Sequence, residues 1–257
     1  YSDMLDDRMT YTGGYWKDAR TLDEAQEAKL DLICRKLELE PGMTILDIGC
    51  GWGSFAKYAA EHYGVHVAGV TISREQVEQA NRNCRNLPVD VKLQDYREVS
   101  GTFDRIVSLG MFEHVGQKNY RTFMNTVHRR LKDHGIALLQ TIGSNISTAA
   151  TDPWIGKYIF PNSMLPSIAQ IGRAIEGLLV MEDWHNLGPH YDKTLLAWHQ
   201  NFVDAWPRHR EHYSQRFFRM WQFYLLSCAA TFRSRYTQLW QIVMTKQGRP
   251  QPNCRLS

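Results

Sequence analysis

The chain has 257 residues, 43% hydrophobic and 22% charged, with a formal net charge of +3. That length buries a substantial core, and so small a charge excludes a nucleic-acid-binding composition while remaining compatible with an anionic partner surface. The five cysteines are scattered without C-x-x-C spacing, which argues against a disulfide scaffold or a zinc site and for a reducing, cytoplasmic compartment. No apolar run approaches the roughly 20 residues of a membrane span. The first residue is Tyr1 and not Met, so a processed chain or one part of a longer protein is expected.

Residues 1–20 are polar and aromatic around Gly13-Gly14 and read as an ordered loop. From Leu22 to Leu39, Ala25, Ala28, Leu30, Ile33 and Leu37 recur at helical spacing until Pro41-Gly42 breaks the pattern. The apolar run Ile45 to Ile48 predicts a strand ending in a Gly49-x-Gly51-x-Gly53 turn, and Phe55 to His62 predicts the helix that follows. Val65 to Val70 is a second strand. Ser73 with Gln76 three residues later resembles a capping box. Val89 to Leu93, Phe103 to Leu109 and Gly135 to Ile142 read as further strands, with a helix from Tyr120 to Leu131 between the last two. This alternation predicts an α/β, Rossmann-like parallel sheet covered on both faces, with ligands beyond the carboxyl ends of its strands.

After Ile142 the alternation fails. Residues 145–235 are aromatic-rich and mostly helical in pattern, interrupted by a strand-like run from Leu178 to Asp183, and a late strand runs from Gln238 to Thr245. The expected organisation is one catalytic domain: an N-terminal loop and helix (1–40), an α/β core (43–142), a helical cap (145–235) and a late core strand (238–245). Arg208, Arg210, Arg216, Arg219, Arg233 and Arg235 cluster among the cap aromatics. They read as a solvated helical face or as an interfacial one.

The glycine turn lets a ligand press against backbone, because a Cβ there would clash or forbid positive φ. A nicotinamide dinucleotide site expects Gly-x-Gly-x-x-Gly and an acidic residue ending the next strand. Here the second strand ends in Val70-Thr71-Ile72-Ser73 instead. Asp47 ahead of the glycines, with Gln94-Asp95-Tyr96 after the third strand, fits an S-adenosylmethionine site better. Asp47 would hold the charged amino-acid end, and Asp95 and Tyr96 lie where a polar side chain meets the adenine amino group.

The chain resembles the catalytic domain of the bacterial cyclopropane-fatty-acyl-phospholipid synthases, with the mycolic acid cyclopropane synthases as more distant relatives. The resemblance covers nearly the whole chain. It rests on LDDRMTYTGGYW (Leu5 to Trp16), LDIGCGWG (Leu46 to Gly53), GVTIS (Gly69 to Ser73) and QDYR (Gln94 to Arg97). It continues in MFEHVG (Met111 to Gly116), TIGS (Thr141 to Ser144), DPWIGKYIFPN (Asp152 to Asn162) and MEDWHN (Met181 to Asn186). It implies a cofactor pocket lined by Tyr11, Thr12, Gly49, Gly51, Thr71, Gln76, Gln94, Asp95, Tyr96 and Gly110. It also implies an unsaturated phospholipid substrate met at the inner membrane surface, an additional N-terminal lipid-engaging domain in full-length members, and room for a homodimer.

The implied reaction adds a sulfonium methyl to a cis alkene, a poor nucleophile, so alignment and exclusion of water are required. The resulting carbocation needs stabilisation, for which the faces of Tyr15, Trp16, Phe112, Trp184 and Tyr191 are candidates beside plain core packing. A proton must also leave before the ring closes. In the resembled family a bicarbonate is the base, held by a Cys, a Glu, a His, a Tyr and the backbone of an Ile. Carried over by motif, these positions are Glu113, Ile142 and Tyr191, with Gly13 in place of the Cys and Gln140 in place of the His. Gln140 can donate from its amide, and Gly13 is expected to leave a small space that water fills. Cyclopropanation is the expected outcome. A C-methyltransferase giving a methyl-branched or methylene product is the alternative, and a cofactor-binding homologue without catalysis a third. His114 and His185 read as hydrogen-bonded core residues, no metal is expected, and Cys50 is expected to pack beneath the turn.

Overall fold

The computed structural model describes residues 1–256. Helix α1 (Leu22–Lys36) begins at Thr21, whose side chain accepts from the Glu24 N–H. Next come β1 (Thr44–Ile48), α2 (Ser54–Tyr63), β2 (His66–Thr71), α3 (Arg74–Asn83), β3 (Val89–Leu93) and β4 (Phe103–Leu109). A 3₁₀ turn over Phe112–His114 precedes α4 (Tyr120–Arg130) and β5 (Leu131–Ser144). The remainder holds α5 (Pro153–Tyr158), α6 (Ile168–Ile175), β6 (Val180–Asn186), α7 (Gly188–His209), α8 (Gln215–Arg233) and β7 (Thr237–Thr245).

The seven strands form one sheet in the order β3-β2-β1-β4-β5-β7-β6. Its first five strands are parallel, as the alternating pattern predicts. The far edge corrects the expectation of a parallel sheet: β7 runs antiparallel to both β5 and β6. Between β6 and β7 the chain runs out along α7 and back along α8, so it re-enters the sheet at the end where β6 left it and pairs antiparallel. The strand expected from Leu178 starts two residues later and belongs to this sheet. The N–H groups of Leu178 and Leu179 both turn back to the Ile175 carbonyl, around Gly177 at φ +68°, and only then can pairing begin.

One sheet face is covered by α1 and α2 through Leu30, Ile33, Leu37, Phe55 and Ala59 against Ile45, Val107 and Leu138. The other is covered by α4 and α6, where Phe123, Val127, Ile171 and Ala174 meet Leu46, Ile106 and Leu139. The third cluster stands apart. Leu195, Trp198, Tyr224, Leu225 and Phe232 of α7 and α8 pack with Met4 and Leu5 of the N-terminal segment, over Leu187 and Leu239 at one end of the sheet. That end carries the carboxyl ends of β5 and β6.

Candidate active site

Between β1 and β4 the strand order reverses, and the cavity sits there. It has a volume of about 500 Å³ and opens beyond the carboxyl ends of β1, β2 and β4. Its floor is the glycine turn, with Gly49, Gly51 and Gly53 at φ +79°, +55° and +83°, a region other residues adopt at a cost. A Cβ on Gly49 would stand 2.7 Å from the Met111 side chain, so backbone alone fits there. Cys50 is buried against Ala80 and Val91, its thiol pushed up by burial, and packs beneath the turn as expected.

All ten pocket residues implied by the resemblance line this cavity, together with Asp47. Asp47, the penultimate residue of β1, has both carboxylate oxygens buried and without a hydrogen-bond partner. Burial pushes its carboxyl up to about 7, partly offset by Lys29. Lys29 was not legible as a site residue. Its Nζ donates to Thr12 Oγ1 at 3.0 Å inside the cavity, and burial lowers its ammonium to about 8 against the pull of Asp6 and Asp47. The signal was its position: Ala25, Lys29, Leu32 and Lys36 form one stripe at helical spacing, and all four are buried.

Around the rest of the cavity, Thr71 Oγ1 donates to Gln76 Oε1 at 2.6 Å, fixing both after β2. Tyr96 packs on Phe123 at 5.3 Å between centroids. Asp95 lines the cavity, but its two oxygens accept from Arg97 at 2.9 and 2.6 Å, which holds its carboxyl low. The N-terminal segment forms a wall. Thr10 Oγ1 lies 2.6 Å from Ser54 Oγ at the start of α2, and Tyr11 meets Tyr224 through their hydroxyls at 2.9 Å. Tyr11 therefore divides this cavity from the aromatic cluster of α7 and α8.

Glu113, Gln140, Ile142, Tyr191 and Gly13 lie on that farther side, outside the cavity lining. Glu113, in the 3₁₀ turn after β4, accepts the Ile142 N–H on Oε1 at 2.6 Å, while its buried Oε2 has no partner. Burial raises its carboxyl to about 7, partly offset by that N–H. Burial and then the neighbouring Glu113 push the Tyr191 phenol well up, so it stays protonated. Tyr191 is edge-on to Trp198 at 5.9 Å and tilted over Phe232 at 4.6 Å. Gln140 is fully buried on β5; its Oε1 accepts from Gln241 Nε2 at 2.9 Å and its own amide nitrogen is unpartnered.

Gly13 departs from expectation. The space beside it is not open to water: a Cβ there would stand 2.8 Å from Leu239 Cδ2 and 2.9 Å from Tyr191 Cγ. The Tyr191 ring and Leu239 have closed over the position. Of the cation-stabilising candidates, Tyr191 stands in this cluster, whereas Phe112 stacks on Tyr120 at 4.2 Å inside the core and Trp184 packs on Trp240 at 5.1 Å. His114 lines the glycine-turn cavity, edge-on to Phe160 at 5.7 Å, and burial pushes its imidazole below the usual histidine range. His185 faces the buried Lys36 Nζ at 3.0 Å.

A glycine-turn cavity at the switch point of this sheet defines the Rossmann-like methyltransferase class. The chain matches the mycolic acid cyclopropane synthetase family model over residues 1–242, and it belongs to that family. It is 55% identical over 246 residues to the cyclopropane-fatty-acyl-phospholipid synthase of Escherichia coli strain K12, covering 96% of this chain and 64% of that protein. The chain thus spans slightly under two thirds of that relative's length. Among solved structures, the cyclopropane synthase MmaA2 from Mycobacterium tuberculosis matches with a TM-score of 0.89 at 30% identity, covering 95% of this chain and 92% of that one. The mycolic acid cyclopropane synthase CmaA1 complexed with SAH and CTAB matches with a TM-score of 0.88 at 33% identity, with the same coverages.

Proposed function

We propose that this chain is an S-adenosylmethionine-dependent enzyme that converts a cis double bond of an unsaturated phospholipid acyl chain into a cyclopropane, acting from the cytoplasmic side at the inner membrane surface. The donor pocket fits the cofactor. Asp47 presents two unpartnered buried oxygens suited to an ammonium group, and the glycine turn admits a ligand against bare backbone. Bound S-adenosylmethionine supplies an electrophilic methyl group. The cluster of Tyr11, Tyr191, Trp198, Tyr224 and Phe232 gives the acceptor a dry aromatic surround, in which ring faces stabilise positive charge without attacking it.

The observation that carries the reading is Glu113. A buried carboxyl near neutrality, oriented through one oxygen by the Ile142 N–H, is suited to taking up and releasing a proton beside that surround. Bicarbonate is retained as the proposed base. The residues keep the free amide of Gln140 as a donor and a Glu113 carboxyl able to share a proton with it. A homodimer and an N-terminal lipid-engaging domain belong to the same proposal.

A second reading is favoured by Gly13 and Gln140, which remove the thiol and imidazole of the family's pattern. If no base stands where the ring must close, a hydride shift moves the cation to the methyl-bearing carbon, and loss of a proton to another base leaves a methyl-branched alkene or a methylene branch. Product identification by mass and NMR, after incubation with monounsaturated phosphatidylethanolamine vesicles across a bicarbonate titration, decides between them. Cyclopropane that increases with bicarbonate is expected, and Glu113→Gln should lower turnover by about 10²–10⁴. Exclusive methyl or methylene product would establish the second reading.

A further inference from the structure

Helix α8 has two faces of different character. Tyr224, Leu225, Ala229 and Phe232 are buried in the aromatic cluster. On the opposite side, Arg216, Arg219, Phe223, Leu226, Ala230 and Arg233 are exposed and follow one another at spacings of three and four, so they form a single stripe along the helix. Its middle is apolar, with Phe223 55% and Leu226 42% exposed, and both ends are cationic. Trp154 of the short helix α5 packs edge-on against Phe223 at 4.7 Å and extends the apolar middle toward Tyr158.

The charge on this stripe is one-sided. From His212 to Tyr236 there are four arginines and no acidic residue, and α5 adds Lys157 with one acid, Asp152, whose carboxylate caps the helix by accepting from the Trp154 and Ile155 N–H groups. Arg233 is held by Asp192 at 2.9 and 3.0 Å. Among the described residues, Arg216 and Arg219 pair with no carboxylate. Two apolar side chains with free guanidinium groups at one end and a carboxylate-paired one at the other are poorly matched to a protein interface, which needs a broad desolvated centre. They match the boundary of an anionic bilayer, where aromatic and aliphatic groups enter the acyl region and arginines meet phosphates.

We propose that the outer stripe of α8, with Trp154 and Tyr158 of α5 beside it, is the surface by which this chain docks on an anionic phospholipid bilayer. The inference rests on the lipid-modifying reading above and deepens it. One helix then faces the bilayer on one side and the acceptor cluster on the other, so an acyl chain leaving the membrane beside α8 has a single helix to pass.

The test is partition onto vesicles of phosphatidylglycerol with phosphatidylethanolamine, compared with phosphatidylcholine alone. The parent chain should favour the anionic vesicles. Arg216→Gln with Arg219→Gln should lower that partition about 25-fold, roughly fivefold for each charge removed near the surface. Phe223→Ser with Leu226→Ser should weaken binding to both vesicle types. All variants should retain S-adenosylhomocysteine binding, which shows that they fold, and should turn over a short-chain monounsaturated phospholipid dispersed below micelle formation as the parent does. Equal partition of parent and variants would overturn the surface, as would a change of molecular mass in the apolar variant showing that a second copy covers the stripe. A parent that partitions but modifies no lipid would uphold the surface and reject the activity; one that modifies dispersed lipid and ignores vesicles would do the reverse.

Discussion

Asp47 and Gly13 show how single residues set what each half of the site can do. Asp47 carries a carboxyl raised from 3.8 to about 7, so its contribution to the stability of the ligand-free protein is complete only below the lower value and is lost as pH rises from there through about 7. The carboxylate that forms in that window is what a cofactor ammonium needs. S-adenosylhomocysteine affinity, measured by calorimetry, should therefore rise about tenfold from pH 6 to pH 8 and become flat in Asp47→Asn. An affinity independent of pH in the parent would show that Asp47 is already ionised. At Gly13, with the Tyr191 ring and Leu239 in place, Gly13→Cys should cost about 1–3 kcal/mol by overpacking, seen as a lower denaturation midpoint at constant slope. Motifs brought together the residues that line the cavity because a glycine turn and an acid near a strand end have one geometry. They could not reveal that Tyr191 closes over Gly13, since that contact joins residues 178 apart in sequence.

Helix α1 was legible as a helix from its apolar spacing, yet its chemistry was hidden, because lysine is ordinarily assigned to the solvent side. Lys29 and Lys36 lie two turns apart on the buried stripe and serve opposite ends of the sheet, one in the cofactor cavity and the other beneath β6. Lys36 Nζ stands 3.5 Å from Asp183 and 3.0 Å from His185, with Lys36 fully buried. Removing the lysine leaves buried Asp183 with only the exposed Arg255 at 3.5 Å, so Lys36→Met should destabilise the chain by about 3 kcal/mol. Lys36→Met with Asp183→Asn should recover much of that loss in a denaturant titration. An equal loss in both variants would show that packing of the lysine stem, and not the charge pair, holds α1 to β6. Strand β6 was seen in outline by its short apolar run, but its membership of the sheet depends on β7, which follows it by more than fifty residues.

At the scale of the whole molecule, the donor and acceptor halves of the proposed site are built by different parts of the chain. The donor half uses the strongly alternating segment through β4, which is why its position could be read from pattern alone. The acceptor half draws on the N-terminal loop, β5, α7, α8 and β7, and period gives no information about which of these meet. The donor half also links ligand occupancy to global stability. S-adenosylhomocysteine at a hundred times its dissociation constant should add about 2.7 kcal/mol and raise the melting temperature by about 5–10 °C. An unchanged melting temperature would mean that the unfolded chain binds it equally. The order of the strands has a further consequence during biosynthesis. Strand β7 is buried along its whole length between β5 and β6, so the edge of β5 that bears Gln140 stays unpaired until Thr237–Thr245 has left the ribosome. A nascent chain already holding its glycine turn would present that apolar edge to its surroundings while the chain from Ser144, where β5 ends, to Thr245, where β7 ends, is made, and it is this interval that a chaperone would have to cover.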